Sequence, residues 1–306
     1  MYSYIIRRIL LLIPVLLGVS LMVFAIAKVT PGDPARLMAG PTASKEKVQQ
    51  LHEQLGLDDP VPVQYARFLW DAMHGNFGVS YRGQKDVMRS IMLRFPSTAQ
   101  LAGAALIISV LLGIPLGMVA ALKNNTILDR LIIFVDLVML STPVFWLAIM
   151  MVFIFGVYLN WISISEGSGF NSLIMPTITM AMGPTAVLTI LTRGSIMEVL
   201  SDDYVRTAKA KGMQQNRIMV RHVLRNAFIP IATYLGNLTV SLLTGAVFVE
   251  SVFARPGLGR FMISAINARD FPEIQGAVLF TAVLFVGFNL LIDVLYVVID
   301  PRIRLS

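Results

Sequence analysis

Residues 98–122 read TAQLAGAALIISVLLGIPLGMVAAL and contain no charged side chain. Because an α-helix rises about 1.5 Å per residue, about 20 apolar residues cross the roughly 30 Å of hydrocarbon in a bilayer. Further runs of this kind occupy residues 9–29, 131–159, 173–192, 229–253 and 276–299. The sequence therefore predicts an all-α integral membrane protein with about six transmembrane helices.

The composition agrees with a membrane location. The chain is 56% hydrophobic and 14% charged, whereas an ordinary soluble chain is roughly 45–50% apolar and about 25% charged. A net charge of +7 can indicate nucleic acid as a partner, but the basic residues lie mostly beside the apolar runs, which argues against it. The absence of cysteine excludes a disulfide or thiolate site, and the histidines His52, His74 and His222 are too far apart in sequence to predict a metal site.

Two of the runs allow alternatives. The first follows Arg7 and Arg8 and ends in Ala25-Ile26-Ala27, which resembles a signal-peptidase site, but its apolar core exceeds the 7–15 residues typical of a signal peptide. We therefore expect a retained helix. The run at 131–159 contains Ser141-Thr142-Pro143 near its middle, and we interpret it as one helix that is tilted or kinked at the proline.

The distribution of basic residues predicts cytoplasmic N- and C-termini, since lysine and arginine accumulate in cytoplasmic connections. With this orientation the short outside loops hold only Arg255, Arg260 and Arg269. The inside segments hold Arg7, Arg8, Lys123, Arg130, Arg193, Arg206, Lys209, Lys211, Arg217, Arg221, Arg225, Arg302 and Arg304.

Residues 30–97 form the longest polar segment, and we expect a small external helical subdomain there. Pro31-Gly32-Asp33-Pro34 predicts a turn at the membrane exit. Ser44-Lys45-Glu46-Lys47 is typical of a capped helix start, and Val48, Leu51 and Leu55 follow at helical spacing. This subdomain either covers the helix ends or docks an external partner. The organisation is then a first transmembrane helix at 1–29, the external segment at 30–97, and a five-helix core at 98–306.

The segment at 194–228 is longer and more strongly patterned than a simple connection requires. Ala208 followed by Gly212 predicts a short helix that ends at glycine, whose freedom at positive φ closes the turn. Small residues on that helix would let a partner surface approach closely. The alternative is a simple loop whose basic residues serve only to keep it on the cytoplasmic side of the membrane.

Several separated motifs, in one order along the whole chain, give a resemblance to a known family. They are Arg7-Arg8 before the first apolar run, Pro31-Gly32-Asp33-Pro34, the stretch 203–212, Glu250-Ser251-Val252-Phe253 with Pro256-Gly257-Leu258-Gly259, and the stretch 293–301. The chain resembles the permease subunits of binding-protein-dependent ABC importers, in the branch that handles dipeptides, oligopeptides, glutathione and nickel. The resemblance implies a multi-pass protein of the bacterial inner membrane that takes part in transport.

The resemblance implies that 194–228 is a coupling loop whose short helix enters a cleft of a separate ATP-hydrolysing subunit. The residues that it assigns to coupling are Tyr204, Arg206, Thr207, Ala208, Lys211 and Gly212. The general family motif has glutamate and two alanines where this chain has Arg206, Thr207 and Ala208, and its closing Ile-x-Leu-Pro is missing here. Ala208 and Gly212 match best.

Polar residues within and after the fifth run suggest further sites. Thr233, Asn237, Ser241 and Thr244 share one helix face at spacings of four, four and three, so they either line a substrate path or bond to a neighbouring helix. We favour the path. The polar region 250–275 is too rich in turns for another crossing and predicts an external cap. The family resemblance implies instead a gate beside the docked binding protein, with candidate gate residues Glu250, Pro256, Gly257 and Gly259.

Other features within the runs are interpreted structurally. Gly113 and Gly117 form a G-x-x-x-G pair that predicts close helix packing. Asp136 and Asp293 lie within apolar runs, where we expect each to pair with an arginine or a helix terminus.

We therefore predict a non-enzymatic permease half of an importer of short peptides, with nickel complexes or glutathione as alternative substrates. The sequence contains no Gly-Lys pair and hence no phosphate-binding loop, so no cofactor is expected in this chain, and ATP with magnesium is assigned to partner subunits. The partners implied by the family are a second homologous permease, two ATP-binding subunits, an extracytoplasmic binding protein and membrane lipid. An ion-coupled secondary carrier is the alternative of another class.

Overall fold

The structure is a computed structural model that describes residues 2–40, 42–161, 171–219 and 223–299. In this part of the chain the regular elements are helices, and Val79 and Asp86 form an isolated bridge without any β-strand. The helices are α1 Tyr2–Val29, α2 Pro34–Ala39, α3 Lys45–Leu55, α4 Val61–Met73, α5 Val87–Leu122, α6 Ile127–Ser141, α7 Val144–Met151 with a π-helical continuation Val152–Tyr158, α8 Asn171–Leu200, α9 Asp203–Ala210, α10 Gln215–Ile218, α11 Leu224–Val252, α12 Leu258–Ala268 and α13 Phe271–Ile299.

The predicted all-helical membrane fold is confirmed. Among the described residues, α1, α5, α8, α11 and α13 are each long and apolar enough to cross a bilayer. A sixth crossing results if α6 and α7 together form one span. Several helices extend beyond the apolar runs, since α5 begins at Val87 and α8 continues to Leu200. The connection between α8 and α11 is therefore shorter than the predicted loop.

The prediction of one tilted or kinked helix at 131–159 is wrong. The chain breaks between α6 and α7, and the axes on the two sides of the break differ by 97°. Pro143 lies immediately before α7, with φ −61° and ψ 133°, and Thr142 is extended. Proline supplies no backbone N–H and disfavours helical geometry in the residue before it, which is the physical reason that the chain bends at this point.

Contacts divide the chain into two compact units, of which unit 1 comprises Met1–Ser97 and Pro256–Ser306. In unit 1, α1 packs along α13, and α12 packs on α13. Its apolar core contains Val87, Ile91, Leu258, Phe261 and Ala277.

The segment between α1 and α5 is a small helical subdomain of unit 1, as predicted. Ser44 caps α3 by accepting a hydrogen bond from the Lys47 backbone N–H at 3.3 Å, and Gly56 ends the helix in a left-handed conformation. The capped start predicted at Ser44 is therefore confirmed. The His52 ring of α3 lies 2.9 Å from Asp33 and 3.6 Å from Asp58, which connects α3 to both of its flanking turns.

Unit 2 comprises Thr98–Arg255 and has two apolar clusters. One cluster joins α5, α8 and α11 through residues such as Leu101, Met180 and Leu242. The other joins the ends of α5 and α8 to α9, α10 and the start of α11. Through this second cluster, the predicted coupling segment packs against the ends of α5 and α8.

Candidate functional site

The two sides of α9 have opposite character. Val205 is fully buried and Ala208 is 8% exposed, and both belong to the second apolar cluster of unit 2 together with Ile196 and Ile218. The other side of α9 and its C-terminal turn are exposed, and they carry Tyr204, Arg206, Thr207 and Lys211. The short helix α9 is therefore attached to unit 2 by a small apolar side and presents polar residues outward.

Gly212 ends α9 in the way that the sequence predicts. Its φ is +76°, a left-handed conformation that residues with a Cβ adopt only at a cost. The space around the missing Cβ is open, because no atom lies within 4 Å of its ideal position. The conformation of the backbone, and not crowding, therefore requires glycine here.

A hydrogen bond and an exposed ion pair complete the surroundings of α9. Asn226 at the start of α11 donates from Nδ2 to the Tyr204 hydroxyl at 2.7 Å. Arg206 lies 3.8 Å from Asp203, and both side chains are largely exposed. An exposed pair of this kind contributes little to stability, so the outward side of α9 is available for other contacts.

Near the start of α6, an ion pair that the sequence analysis did not predict joins α6 to α8. Arg193 of α8 donates from Nε to Asp129 Oδ1 at 2.6 Å and from Nη2 to Asp129 Oδ2 at 2.8 Å. Asp129 is 3% exposed. Two parallel bonds between a guanidinium and a carboxylate are stronger and more directional than one, so this clamp sets the position of α8 ten residues before α9 begins.

The turn before α6 is part of the same clamp. Arg193 Nη2 also donates to Asn124 Oδ1 at 3.0 Å, and the Asn125 backbone N–H donates to Asp129 Oδ2 at 3.0 Å. Thr126 caps α6 by accepting from the Asp129 backbone N–H. From the sequence alone, Arg193 is only one of the basic residues that predict the cytoplasmic side. The threonine three residues before Asp129 indicates the helix start, but nothing in the sequence pairs Asp129 with Arg193.

The close packing predicted from Gly113 and Gly117 is confirmed within unit 2. A Cβ at Gly117 would lie 2.5 Å from the Thr189 carbonyl oxygen and 2.6 Å from Thr192 Cβ. A Cβ at Gly113 would lie 2.8 Å from Leu188 Cβ. The two glycines therefore let the backbones of α5 and α8 approach more closely than any other residue would allow.

The four pathway candidates lie along one side of α11. Thr233, Asn237 and Ser241 are exposed and Thr244 is partly exposed, whereas Leu238 and its buried neighbours face the core of unit 2. The threonine hydroxyls donate to carbonyls of their own helix, from Thr233 to Ile229 and from Thr244 to Val240. The four residues thus form a polar strip on the surface of unit 2.

The gate candidates belong to different units. Glu250, at the end of α11 in unit 2, is fully buried and accepts a hydrogen bond from the Thr98 hydroxyl at 2.5 Å. In unit 1, Pro256 is exposed, whereas Gly257 and Gly259 are buried around the start of α12. Gly257 has an ordinary φ of −101°.

Unit 1 contains a buried carboxylate that the sequence did not predict. Asp270, between α12 and α13, is 1% exposed and accepts from the Ser80 hydroxyl at 2.7 Å and from the Arg82 backbone N–H at 3.2 Å. Burial, followed by the charges of Asp270 and Asp33, raises the pKa of Tyr81 to about 12, so this phenol stays neutral.

The two acidic residues of the apolar runs have different outcomes. Asp136 is 3% exposed, and its Oδ2 has no hydrogen-bond partner among the described residues. The expected pairing of Asp136 with an arginine or a helix terminus is therefore not seen for this oxygen atom. The side chain of Asp293 lies outside the described residues. Among the groups that the structure describes, no set of three or more histidine or acidic side chains could hold a metal ion.

Comparison with known proteins identifies the family. Residues 113–305 match the model of the family described as binding-protein-dependent transport system inner membrane component, and residues 1–102 match the N-terminal model of such membrane components. A chain in the crystal structure of an amino acid ABC transporter with histidines has a similar fold, with a TM-score of 0.52, 18% identity, and coverage of 68% of this chain and 93% of that chain.

Curated relatives match over nearly the full length. The dipeptide transport system permease protein DppB of Alkalihalophilus pseudofirmus is 38% identical over 99% of this chain and 100% of its own length, and that of Escherichia coli K12 is 36% identical over 99% of both. The glutathione transport system permease protein GsiC of Salmonella paratyphi A is 39% identical over 99% of both. With its apolar helices and these matches, the chain is a multi-pass membrane protein that belongs to the family of inner membrane components of binding-protein-dependent transport systems.

Proposed function

We propose that this chain is one permease half of an ATP-driven importer of short peptides and transmits the action of separate ATPase subunits through α9. The observation that carries the proposal is the construction of α9, which is attached by Val205 and Ala208 and presents a polar side outward. The full-length relatives are permeases for dipeptides and for glutathione, which supports a peptide-like substrate. Nickel complexes remain a second candidate substrate class.

The outward side of α9 suits a protein partner better than it suits water alone. Tyr204 combines an aromatic ring with a hydroxyl, and Arg206 and Lys211 add positive charge to the exposed surface of α9 and its C-terminal turn. Aromatic and arginine side chains are enriched where proteins bind one another. An ATPase surface with acidic residues would complement this charge.

Movement at α9 would reach the membrane helices through two connections. Val205 and Ala208 pack against Ile196 near the end of α8, and α8 is fixed to α6 by the Asp129–Arg193 clamp. A displacement of α9 would therefore move α8 and α6 together. In this proposal both chain termini and α9 are cytoplasmic, as the basic residues predict, and ATP with magnesium is bound only by the partner subunits.

The polar strip on α11 supplies a candidate wall of the substrate path. We assign Thr233, Asn237, Ser241 and Thr244 to this wall, opposite a second, homologous permease. Hydroxyl and amide groups bind peptide N–H and C=O groups without a fixed charge, as a path for varied short peptides requires. Glu250 and the Pro256, Gly257 and Gly259 loop are assigned to the extracytoplasmic side, where a binding protein delivers substrate.

The test is a charge reversal on the outward side of α9 in the importer reconstituted in proteoliposomes. Arg206→Glu with Lys211→Glu should abolish co-purification of the ATPase and reduce ATP-dependent uptake of a labelled dipeptide at least tenfold. The matched control is Lys123→Glu, another exposed basic residue of unit 2 that lies outside α9. It should leave ATPase binding and uptake close to the values of the unmodified chain.

Two results would contradict the proposal. Unchanged ATPase binding and uptake in the double variant would show that α9 is not the contact. Uptake that continues without nucleotide and stops when the ion gradient is collapsed would instead identify an ion-coupled carrier.

A further inference from the structure

The helices α3 and α4 of the subdomain between α1 and α5 have outward sides of opposite chemistry. On α3 the exposed residues are polar or charged, and they include Lys45, Glu46, Lys47, Gln49, Gln50, Glu53 and Gln54. On α4 the exposed side carries a row of apolar residues, which we call the α4 stripe: Val63, Ala66, Trp70 and Met73. Because these four are spaced by three, four and three positions, they lie along one side of the helix. Arg67, which pairs with Asp59, and His74, whose ring contacts Trp70, lie along one edge of this stripe.

The α4 stripe is strongly exposed in the chain. Trp70 is 62% exposed and Met73 is 66% exposed, while Val63 is 47% exposed. The opposite side of α4 is used for packing, through Tyr65 and Phe68. A helix of a water-facing subdomain would place its apolar residues on the packed side and polar residues outward, as α3 does.

Contacts with α1 fix the level of α4 relative to the membrane. The Tyr65 hydroxyl is hydrogen-bonded to the Ser20 hydroxyl at 2.8 Å, and Phe24 lies against the rings of Tyr65 and Phe68 at 5.3 and 5.7 Å. Ser20 is near the middle of the membrane span Leu10–Val29. It precedes the end of α1 by nine residues, or about 14 Å along the helix axis. The α4 helix therefore packs beside the spanning part of α1.

The surface between the two helices is apolar as well. A groove of about 360 Å³ runs between α1 and α4 and is lined by residues such as Leu21, Ala25, Val61 and Pro62. It continues into the exposed apolar surface of α1, where Leu21 is 54% and Met22 is 64% exposed. Lys28 at the rim has a long stem that can keep its ammonium group at the headgroup level.

We propose that the α4 stripe is immersed in the lipid of the bilayer, with α4 lying beside the spanning part of α1. The four stripe residues are apolar and exposed, tryptophan is among the residue types enriched in membrane-embedded surfaces near the headgroups, and the groove between α1 and α4 fits part of an acyl chain. The subdomain between α1 and α5 thus has a second membrane attachment besides α1, while α3 presents its outward side to water.

The absence of cysteine from this chain allows a direct test by site-directed spin labelling. Nitroxide labels are introduced by Ala66→Cys and Met73→Cys on the stripe, by Gln54→Cys on the polar side of α3, and by Met22→Cys on α1. The labelled full chain is reconstituted, with its partner subunits, in liposomes of phosphatidylethanolamine and phosphatidylglycerol. The measurement is the ratio of label accessibility to oxygen, which dissolves in lipid, and to a neutral nickel chelate, which dissolves in water.

The expected result is a ratio at positions 66 and 73 that matches position 22 and exceeds position 54 several-fold. A ratio at both stripe positions equal to that at position 54 would overturn the proposal, because the stripe would then face water. Protection of positions 66 and 73 from both reagents would also overturn it, since a protein subunit would then cover the stripe. Because all four positions lie outside α9, the outcome is independent of ATPase coupling.

Discussion

Within unit 2, α8 and α9 follow one another in the chain but are held by contacts of different kinds. Glycines 113 and 117 bring α5 into backbone contact with α8, and Arg193 pairs with the buried Asp129 through two hydrogen bonds. Two apolar side chains, Val205 and Ala208, attach α9 to its cluster, and its ion pair, Arg206 with Asp203, is exposed.

The difference separates a part that must keep its shape from a part that can be displaced. Close backbone contact and a buried ion pair are lost only at a large cost in free energy. A short helix with a small buried side can shift with less loss. This division suits a chain in which a partner moves α9 and the packed helices carry that movement onward as a body.

The largest effect should come from breaking the clamp. Arg193→Met leaves the carboxylate of Asp129 without its cation. Removing one partner of a fully buried pair costs about 3–5 kcal/mol, and we expect a cost somewhat below this range because the Arg193 side chain is 25% exposed. We expect a marked fall in the thermal unfolding temperature of the chain in nanodiscs, followed by intrinsic fluorescence.

Two variants make this test specific. Adding Asp129→Asn to Arg193→Met should recover much of the loss, because the buried charge is removed while an acceptor for the Asn125 N–H is kept. Arg206→Met breaks the exposed pair of α9 and should change stability by less than about 1 kcal/mol. Equal effects of Arg193→Met and Arg206→Met would refute the contrast between α8 and α9.

A smaller effect is expected where α5 approaches α8. Gly117→Ala places a Cβ 2.5 Å from the Thr189 carbonyl oxygen, and overpacking against backbone costs about 1–3 kcal/mol. Gly103→Ala in the same helix is the matched control, since its Cβ meets no atom within 4 Å. It should be neutral or stabilise the helix by up to about 1 kcal/mol. Unfolding temperatures that fall equally in both variants would contradict close packing at Gly117.

The smallest effect on stability is expected at the end of α9. Gly212→Ala forces a residue with a Cβ into φ +76°, at a cost of roughly 1 kcal/mol. Faster amide hydrogen exchange across residues 203–210 should report the loosened helix end. Gly212→Asn should be milder, because asparagine tolerates this conformation, and Gly194→Ala in α8 should leave the exchange unchanged. Unaltered exchange in Gly212→Ala would show that the left-handed turn does not hold α9 in place.

Much of the fold was predictable because a long apolar run crosses a bilayer as a helix, in which the backbone polar groups bond to one another. The spans at 9–29 and 98–122 appear as α1 and α5. Ser44 begins α3 and Gly212 ends α9, as their chemistry predicts. The run at 131–159 shows the limit of this reasoning. Its length and composition favoured one helix, but the size of the bend at Pro143 depends on what the two halves pack against.

Candidate sites were predictable only where one helix carries them. The strip on α11 follows from helical spacing, since residues three and four apart share a face. Ala208 of α9, however, was expected to meet a partner surface and is buried in the apolar cluster of its own chain. The roles of α9 in coupling and of the strip in the substrate path stay predictions. The clamp, by contrast, joins residues 64 positions apart, and Asp136, for which an arginine or a helix terminus was expected, has an Oδ2 without a hydrogen-bond partner among the described residues.

By itself, the sequence determined that this chain enters a membrane with about six apolar segments, that a capped helix follows the first of them, and that a glycine ends α9. These features depend on hydrophobicity and on backbone conformation, which act over one to twenty residues. The tertiary structure alone decided that Asp129 binds Arg193, that α5 and α8 meet at Gly113 and Gly117, and that α4 turns its apolar stripe away from α1. Such pairings depend on which helices become neighbours in space, and periodicity within one helix carries no information about the side chains of another.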